Sequence, residues 1–153
     1  MIKEKFNLIN KVAIITGASK GIGESMARGL AEFGAKVVIS SRKQQAVDEV
    51  ASKFNSEGLS AIGIECHVAK EDQRKNLIKK VMDEYGRIDI LINNAGTNPY
   101  FGPIDQMPLD IYQKTMDINI NSAISLSNLA YPIMKKQGSG SIIHVSSVEG
   151  LHP

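Results

Sequence analysis

Short apolar runs alternate along the chain with longer stretches in which apolar residues recur every three or four positions. The apolar runs predict five strands, at residues 11–16, 36–41, 60–65, 88–92 and 141–145. The periodic stretches predict four helices, at residues 21–33, 44–57, 70–85 and 109–136. A glycine directly follows each of the first three helices, and glycine is the usual residue in the left-handed conformation that ends a helix.

The predicted strands are continuously apolar, which is typical of strands buried on both faces of a parallel sheet. Their alternation with amphipathic helices predicts an α/β fold with right-handed crossovers and helices on both faces. Residues 1–153 contain no linker, repeat or low-complexity tract, so we expect a single domain. Pro132 removes a backbone donor inside the last predicted helix, so we expect a kink or loosened turn near residues 128–132.

Charge and cysteine content narrow the class of partner. The chain of 153 residues has a net charge of +2 and 22% charged residues, with no basic cluster along one face, so we expect a small molecule rather than nucleic acid or a membrane. Cys66 is the one cysteine and His67 has no partner at zinc-ligand spacing, so neither an internal disulfide nor a metal is expected. Residues 1–10 contain no long apolar segment, which favours a cytoplasmic location.

The most informative motif is the glycine-rich segment Thr16-Gly17-Ala18-Ser19-Lys20-Gly21-Ile22-Gly23, which follows the first strand and opens the first helix. Backbone without side chains can approach a pyrophosphate closely, and the amides and dipole at the start of a helix favour an anion. The motif therefore predicts a phosphate-binding turn. The alternative is a tight turn that binds no ligand.

The residues after the second strand indicate which nucleotide is bound. An acidic residue there would accept hydrogen bonds from an unphosphorylated ribose, but the chain has Ser40-Ser41-Arg42. A 2′-phosphate needs cationic and hydroxyl donors, which Arg42, Lys20, Ser41 and Ser19 can supply. We therefore expect NADP(H) rather than NAD(H). Alternatively, Lys20 and Arg42 are ordinary solvated cations.

Four signatures in this order resemble the short-chain dehydrogenase/reductase family: the Thr-Gly-x-x-x-Gly-x-Gly turn, Asn93-Asn94-Ala95-Gly96, Asn119, and Ser146-Ser147. Three further segments are most similar to the NADPH-dependent carbonyl and retinal reductases grouped as dehydrogenase/reductase member four: residues 41–45, 66–68 and 98–102. The resemblance implies a Rossmann-type, doubly wound sheet, hydride transfer between a nicotinamide and a carbonyl or alcohol, and a homo-oligomer.

The resemblance also implies roles for individual residues. Asn119 resembles the helix asparagine that holds a water in a proton relay, and Ser147 the serine that hydrogen-bonds the reacting oxygen. Asn93 is a candidate structural tie. Alternatively, Asn119 faces solvent or bonds backbone, and Ser147 satisfies a local amide. The implied cofactor-binding residues are Gly17, Ser19, Lys20, Gly21, Ile22, Gly23, Ser41, Arg42, His67, Val68, Asn94, Ala95 and Gly96.

His67 departs from the family pattern, which more often has an aspartate near the adenine. Its imidazole could stack on or hydrogen-bond the base, or it could be an ordinary surface histidine.

The family's reaction also needs a tyrosine proton donor and a lysine four residues later, a dozen or so residues after the serine, and only six residues follow Ser147. Tyr131 and Lys135 have this spacing, but a helix returning from the carboxyl edge of the sheet would carry Tyr131 about 18 Å beyond Asn119. We therefore interpret residues 1–153 as an inactive amino-terminal part of a longer enzyme, its sheet ending at the fifth strand.

We expect this fifth strand to be an open edge, and one side of the long helix to stay uncovered. The residues expected on that side are Ile118, Ala123, Leu126, Leu129 and Ile133. Two alternatives to the enzyme are a non-catalytic nucleotide-binding or assembly module and a structural remnant that binds nothing well.

Overall fold

The computed structural model describes residues 2–150, with only the backbone of Ile2, Lys3 and Glu149. The strands are β1 (Val12–Thr16), β2 (Lys36–Ser41), β3 (Ser60–Glu65), β4 (Ile90–Asn93) and β5 (Ser141–His144). The helices are α1 (Ile2–Lys5), α2 (Gly21–Glu32), α3 (Gln44–Ser56), α4 (Glu71–Tyr85), α5 (Leu109–Met116) and α6 (Ser122–Gln137). All five predicted strands are present.

The strands form one parallel sheet in the order β3-β2-β1-β4-β5, which confirms the predicted Rossmann-type α/β fold. From β1 the chain winds outward through β2 to β3, and it then crosses back to place β4 on the other side of β1. The register puts Ala13 between Val37 and Ile90. The order of winding therefore reverses between β1 and β4, and ligands of open α/β sheets bind outside the strand ends at such a point.

The sheet separates two apolar cores, which explains why its central strands are continuously hydrophobic. Ile14 and Leu91 face the core covered by α4 and α6, where they join Leu77 and Leu126. On the opposite face the core is covered by α2 and α3, and its largest fully buried side chain is Phe54. Every residue of β1 is buried, so this strand fixes both layers.

The helix predicted at 109–136 is interrupted earlier than expected. A π-helical turn over Asp117–Asn121 separates α5 from α6, while α6 remains α-helical through Pro132. At the turn the Ser122 amide donates to the Asp117 carbonyl, one residue beyond the α-helical acceptor. The Ser122 hydroxyl, in a residue only 3% exposed, donates to the bypassed Ile118 carbonyl at 2.7 Å. A buried serine thus stabilises the irregularity.

The uncovered face of α6 also differs from the expected one. Ile118 and Leu126 are buried, and Ala123, Leu129 and Ile133 are partly buried. The helix packs inward through a stripe that includes the small residues Ser122 and Ala130, which are not in the expected set. The large side chains left exposed are Ile120, Ile124 and Tyr131.

The two edges of the sheet are different. Along the outer edge of β3, the Asn55 side-chain amide pairs with both the N–H and the carbonyl of Ala61, at 2.9 Å each. The Gln44 amide likewise donates to the Gly63 carbonyl and accepts from the Glu65 N–H, at 3.0 Å each. At the other edge Ile143 and Val145 are exposed on and just after β5. β5 is the last strand of the described sheet, which agrees with the expected open edge there.

Asp89 ties three strands together at the amino edge of the sheet. Its backbone bonds Val12 and Ser141, and its carboxylate, 4% exposed, accepts from the Val12 amide at 2.9 Å. Arg87 adds two further hydrogen bonds, at 2.7 and 2.8 Å. Burial alone would raise the pKa of Asp89, but the hydrogen bonds from Arg87 and Val12 outweigh it and hold the pKa below its ordinary value.

Asp89→Asn should lower the free energy of unfolding by about 1–2 kcal/mol at pH 7. The amide has only one acceptor oxygen and no charge, so it cannot accept both hydrogen bonds that Arg87 donates to the carboxylate. A lowered folded-state pKa stabilises the protein above the unfolded pKa, and this contribution disappears as the pH falls through the folded value. The difference between variant and wild type should therefore shrink below about pH 4. Urea unfolding at a series of pH values measures it.

The control is Asp83→Asn, which removes an exposed carboxylate that pairs with Lys79 on α4. This variant should change stability by less than about 0.5 kcal/mol. A constant difference between Asp89→Asn and wild type from pH 7 to pH 3 would contradict the role assigned to the Asp89 charge.

Candidate dinucleotide site

The candidate site lies where β1 and β4 end side by side, at the point where the winding of the sheet reverses. The glycine-rich turn follows β1, and Asn94-Ala95-Gly96 follows β4. Parallel strands bring these two segments to one edge of the sheet, as the sequence predicts. This edge is the position at which open α/β sheets bind nucleotides.

The turn after β1 can exist only with glycine at specific positions. Gly17 has φ +65° and Gly21 φ +61°, in the left-handed region that side chains disfavour. A Cβ on Gly23 would lie 2.5 Å from the Gly17 carbonyl oxygen and 2.7 Å from Asn94 Nδ2. These glycines bring the first turn of α2 close to the strand ends. The amides of this first turn are left available at the carboxyl edge of the sheet, which we call the rim. There Lys20 and Ile22 are exposed and Ser19 is half-buried.

Thr16 and Asn94 hold the two segments together. The buried Thr16 hydroxyl oxygen accepts hydrogen bonds from the amides of Asn94 and Ala95, at 3.0 Å each. In return the Asn94 side chain donates to the carbonyls of Thr16 at 2.9 Å and Gly17 at 3.3 Å. The preceding Asn93 is buried and donates to Ser127 on α6 at 3.4 Å. Asn94 thus fixes the turn, while Gly96 beyond it is exposed.

The end of β2 is joined to the same edge by backbone hydrogen bonds. The Ala18 amide donates to the Ser40 carbonyl at 3.0 Å, and the Cys66 amide to the Ser41 carbonyl at 2.7 Å. Ser41 is half-buried and Arg42 is exposed. No aspartate or glutamate occurs between residues 37 and 47, so the rim beside the turn presents hydroxyls and cations.

His67 and Val68 follow β3 and continue this rim. The His67 amide donates to Gln73 Oε1 at 2.6 Å, and His67 Nδ1 accepts from the Ala69 amide at 3.3 Å, which corresponds to a neutral ring protonated at Nε2. The pKa of His67 lies below its ordinary value because of burial first, and then because Arg42 and Lys70 are close. The imidazole is half-buried rather than a free surface group.

The candidate catalytic residues Asn119 and Ser147 lie at the same edge. The exposed Asn119 projects from the π turn, where its Oδ1 accepts from the Thr97 amide and its Nδ2 donates to the Thr97 carbonyl, at 2.8 Å each. This geometry is the backbone-bonding alternative stated above. Ser147 follows β5 and is exposed, and its carbonyl accepts from the Gly150 amide at 3.1 Å.

Tyr131 lies away from this edge. Gln137, at the end of α6, exchanges two hydrogen bonds with the backbone of Ile88, just before β4, at 3.1 and 2.8 Å. The helix therefore ends at the amino edge of the sheet, and Tyr131 lies only six residues before that end. Its side chain is exposed. Tyr131 and Lys135 thus lie on the part of α6 that is far from the carboxyl edge of the sheet, as expected.

Two supporting residues were missed by sequence reasoning. Thr16 appears in the motif, but its hydroxyl oxygen can be recognised as the acceptor of two amides after β4 only when β4 is placed beside β1. Arg74 occupies a core position on α4, in line with Leu77, Ile78 and Val81. A charged residue on an apolar helix stripe is a signal that the sequence contained.

Among the side chains that the structure describes, no group of three or more histidine, cysteine or acidic residues is placed so that it could hold a metal ion. Among the described helices, none has the length and hydrophobicity required to cross a bilayer. Cys66 is buried and free, and burial raises the pKa of its thiol to about 11.

The sheet order, the glycine turn at the reversal point and its asparagine clamp define a Rossmann-type dinucleotide-binding protein. More specifically, the chain belongs to the short chain dehydrogenase family, whose sequence profile matches residues 11–153. It is similar to human dehydrogenase/reductase SDR family member 4, with 43% identity over 146 residues, or 95% of this chain and 52% of that protein. The human mitochondrial family member 2 is 41% identical over 152 residues, or 99% of this chain and 54% of that protein.

Solved structures of the family share the fold. A gluconate 5-dehydrogenase from Burkholderia cenocepacia in complex with NADP and tartrate has a TM-score of 0.91 and 34% identity, covering 97% of this chain and 58% of that one. A metagenomic short-chain oxidoreductase in complex with NADP has a TM-score of 0.89 and 31% identity, covering 94% of this chain and 65% of that one. The present chain thus spans about half the length of the curated relatives it matches.

Gly23→Ala should lower the free energy of unfolding by about 1–3 kcal/mol, because the new methyl group overlaps the Gly17 carbonyl and the clamping Asn94 amide. Gly29→Ala on the same helix is the matched control, since a Cβ there meets nothing within 4 Å. That variant should be stabilised by about 0.5–1 kcal/mol through the helix preference of alanine. Urea unfolding compares the two, and equal effects would contradict the close approach at Gly23.

Proposed function

We propose that this chain forms the nucleotide-binding part of an NADP(H)-dependent oxidoreductase that interconverts a small-molecule carbonyl and an alcohol. The observation that carries the proposal is the convergence of the glycine turn, the cationic end of β2 and the segment after β4 on one edge of the sheet. In this proposal the cofactor-binding residues are those named from the sequence, and residues 1–153 act as one domain.

The glycine turn supports binding of the diphosphate. A Cβ would overlap its neighbours at Gly23 and crowd them at Gly17. The first-turn amides of α2, which include those of Ile22 and Gly23, have no acceptors within the helix. The positive end of the helix dipole adds to the attraction for an anion. The backbone itself, clamped by Asn94, would therefore provide the diphosphate site.

The end of β2 supports the choice of NADP(H) over NAD(H). A 2′-phosphate carries nearly two negative charges and would meet the exposed Arg42 and Lys20, with hydroxyl donors at Ser41 and Ser19. A planar guanidinium can donate two parallel hydrogen bonds to such a phosphate, while a lysine acts as a point charge. Burial is the first cause of the lowered pKa of His67, and the nearby Arg42 and Lys70 lower it further, so positive charge lies close to this rim. Two structurally similar proteins were solved with NADP.

When bound, the nicotinamide supplies a hydride that is exchanged with the substrate carbon. The contribution of this chain is to position the cofactor along Asn94, Ala95 and Gly96 and to stabilise the substrate oxygen. The Ser147 hydroxyl, at the carboxyl edge beyond β5, would donate a hydrogen bond to that oxygen as its negative charge develops. Asn119 would hold a water through the part of its amide that Thr97 leaves unused.

A second candidate, binding without turnover, is favoured for residues 1–153 by the placement of the tyrosines. Tyr131 lies toward the far end of α6, the Tyr100 hydroxyl donates to the Pro103 carbonyl at 3.0 Å, and Tyr85 closes α4. Tyr112, the fourth, is an exposed residue of α5. None follows Ser147, so these residues alone would form a non-catalytic NADP(H)-binding or assembly module.

We further propose that the protein is a cytoplasmic homo-oligomer. Ile120 in the π turn and Ile124 and Tyr131 on α6 are exposed, and β5 is at the end of the sheet. Exposed apolar side chains and an open strand edge both favour self-association. The free buried thiol of Cys66 is compatible with a reducing compartment.

Arg42→Asp should weaken NADPH binding by about tenfold or more, because it replaces a charge-assisted donor with a carboxylate that repels the 2′-phosphate. NADH binding should improve, since the new carboxylate can accept the ribose hydroxyls. Fluorescence titration of both nucleotides measures the two constants. Lys80→Asp, an equal charge change at an exposed position of α4, is the control and should leave both constants unchanged. Parallel changes for both nucleotides would refute the assignment.

The 153-residue chain should bind NADPH yet fail to oxidise it in the presence of simple ketones and aldehydes. The order of measurement is intact mass, then NADPH fluorescence titration, then absorbance at the nicotinamide band with added carbonyl compound. Absence of binding would reject the nucleotide function altogether. Turnover that disappears in Tyr131→Phe would show that the position assigned to this tyrosine is wrong.

A further inference from the structure

The first two turns of α4 hold the loop that follows β3. Arg74 is only 9% exposed, and its Nη1 donates to the Val68 carbonyl at 2.6 Å. The preceding residue, Gln73, accepts the His67 amide at 2.6 Å. Two consecutive side chains of one helix thus fix the backbone of the two rim residues His67 and Val68.

Arg74 also connects this loop to a second element. Its Nε donates to the Ser125 hydroxyl at 2.8 Å, and Ser125 lies in the first turn of α6, directly after the π turn that presents Asn119. Both hydrogen-bond acceptors of the guanidinium are neutral, while the exposed carboxylate of Glu71 interacts with it only through charge. Burying a cation against neutral groups is unfavourable unless its hydrogen bonds are well formed. A methionine or leucine would fill the same stripe of α4 more simply.

We propose that Arg74 and Gln73 are positioning residues for the adenosine half of the nucleotide. They fix the position of the loop 66–70 at the rim, and Arg74 connects that loop to α6 through its hydrogen bond to Ser125. Neither side chain contacts the nucleotide in this proposal, because Gln73 bonds the loop backbone and Arg74 bonds the loop backbone and Ser125. The inference rests on the proposed function, because it assigns the loop to the adenosine end of that same site.

The reason for two neighbouring anchors lies in the loop itself. Its own bonds are short-range, with the Lys70 amide donating to the His67 carbonyl at 2.8 Å and the Ala69 amide to the His67 ring at 3.3 Å. These bonds shape the loop but do not fix it to the rest of the molecule. The Cys66 amide attaches its first residue to β2, and Gln73 and Arg74 attach the residues that follow.

The test compares nucleotide fragments rather than nucleotides. Adenosine 2′,5′-bisphosphate carries the adenosine half, and reduced nicotinamide mononucleotide carries the other half. In Arg74→Lys the charge remains but one amine cannot reach both acceptors, so affinity for the bisphosphate should fall about five- to tenfold. Affinity for the mononucleotide should stay within about twofold of wild type, because the nicotinamide end lies beside β4. Calorimetric titration of both fragments gives the ratio.

A second variant covers the case in which Arg74→Lys does not fold. Gln73→Leu removes the acceptor of the His67 amide while leaving the buried guanidinium in place, and it should show the same selective loss. The control is Lys79→Met on the exposed side of α4, where the ion pair with Asp83 is lost. It should bind both fragments as wild type does.

The outcomes are distinguishable. Equal loss of both fragments in the folded variants would mean that these residues only stabilise the fold, and unchanged binding of the bisphosphate would mean that the loop does not serve it. Either result overturns the inference and leaves the proposed function standing. Failure of the wild-type chain to bind the bisphosphate and NADPH would overturn the proposed function and the inference with it.

Discussion

The hydrogen bonds between Thr16 and the segment after β4 are the interaction on which the candidate site depends. One buried hydroxyl accepts two backbone amides, and one side-chain amide returns two bonds to the strand end. Because β1 and β4 are far apart in sequence, this exchange joins their two ends into one surface at the reversal point. The absence of a Cβ at Gly23 lets α2 approach that surface, since a Cβ there would lie 2.5 Å from the Gly17 carbonyl oxygen and 2.7 Å from Asn94 Nδ2. A nucleotide site built mainly of backbone needs this kind of fixation, since its donors cannot adjust individually.

Most of the fold could be predicted from local pattern alone. The apolar runs located all five strands to within about two residues, because strands buried on both faces leave an unbroken hydrophobic signal. The glycine turn could be placed for the same reason, since its neighbours identify it as the link between a strand and a helix. The π turn before α6 could not be predicted. It depends on a buried Ser122 whose hydroxyl takes the bypassed Ile118 carbonyl, and serine at a helical position carries no such meaning by itself.

The parts of the site that sequence reasoning missed have one property in common. Thr16 accepts from backbone amides 78 and 79 residues away in sequence. Arg74 donates to a carbonyl six residues away and to a hydroxyl 51 residues away, and only the packing of strands and helices selects these partners. Asn119 illustrates the same limit, because its motif position was clear while its two bonds to Thr97 depended on where the π turn directs the amide. Residue types thus indicate which positions to inspect, and tertiary geometry determines which atoms they serve.

The side-chain amides of Asn55 and Gln44 make the two edges of the sheet unequal in their capacity to pair with another strand. Each occupies hydrogen-bonding groups of β3 that an incoming strand would need, in the way a neighbouring strand would occupy them. An additional strand, from the same polypeptide or from another copy, would find backbone groups of β3 already hydrogen-bonded, whereas β5 is an open edge. Two side-chain amides on α3 thereby occupy the outer edge of β3, without belonging to either core.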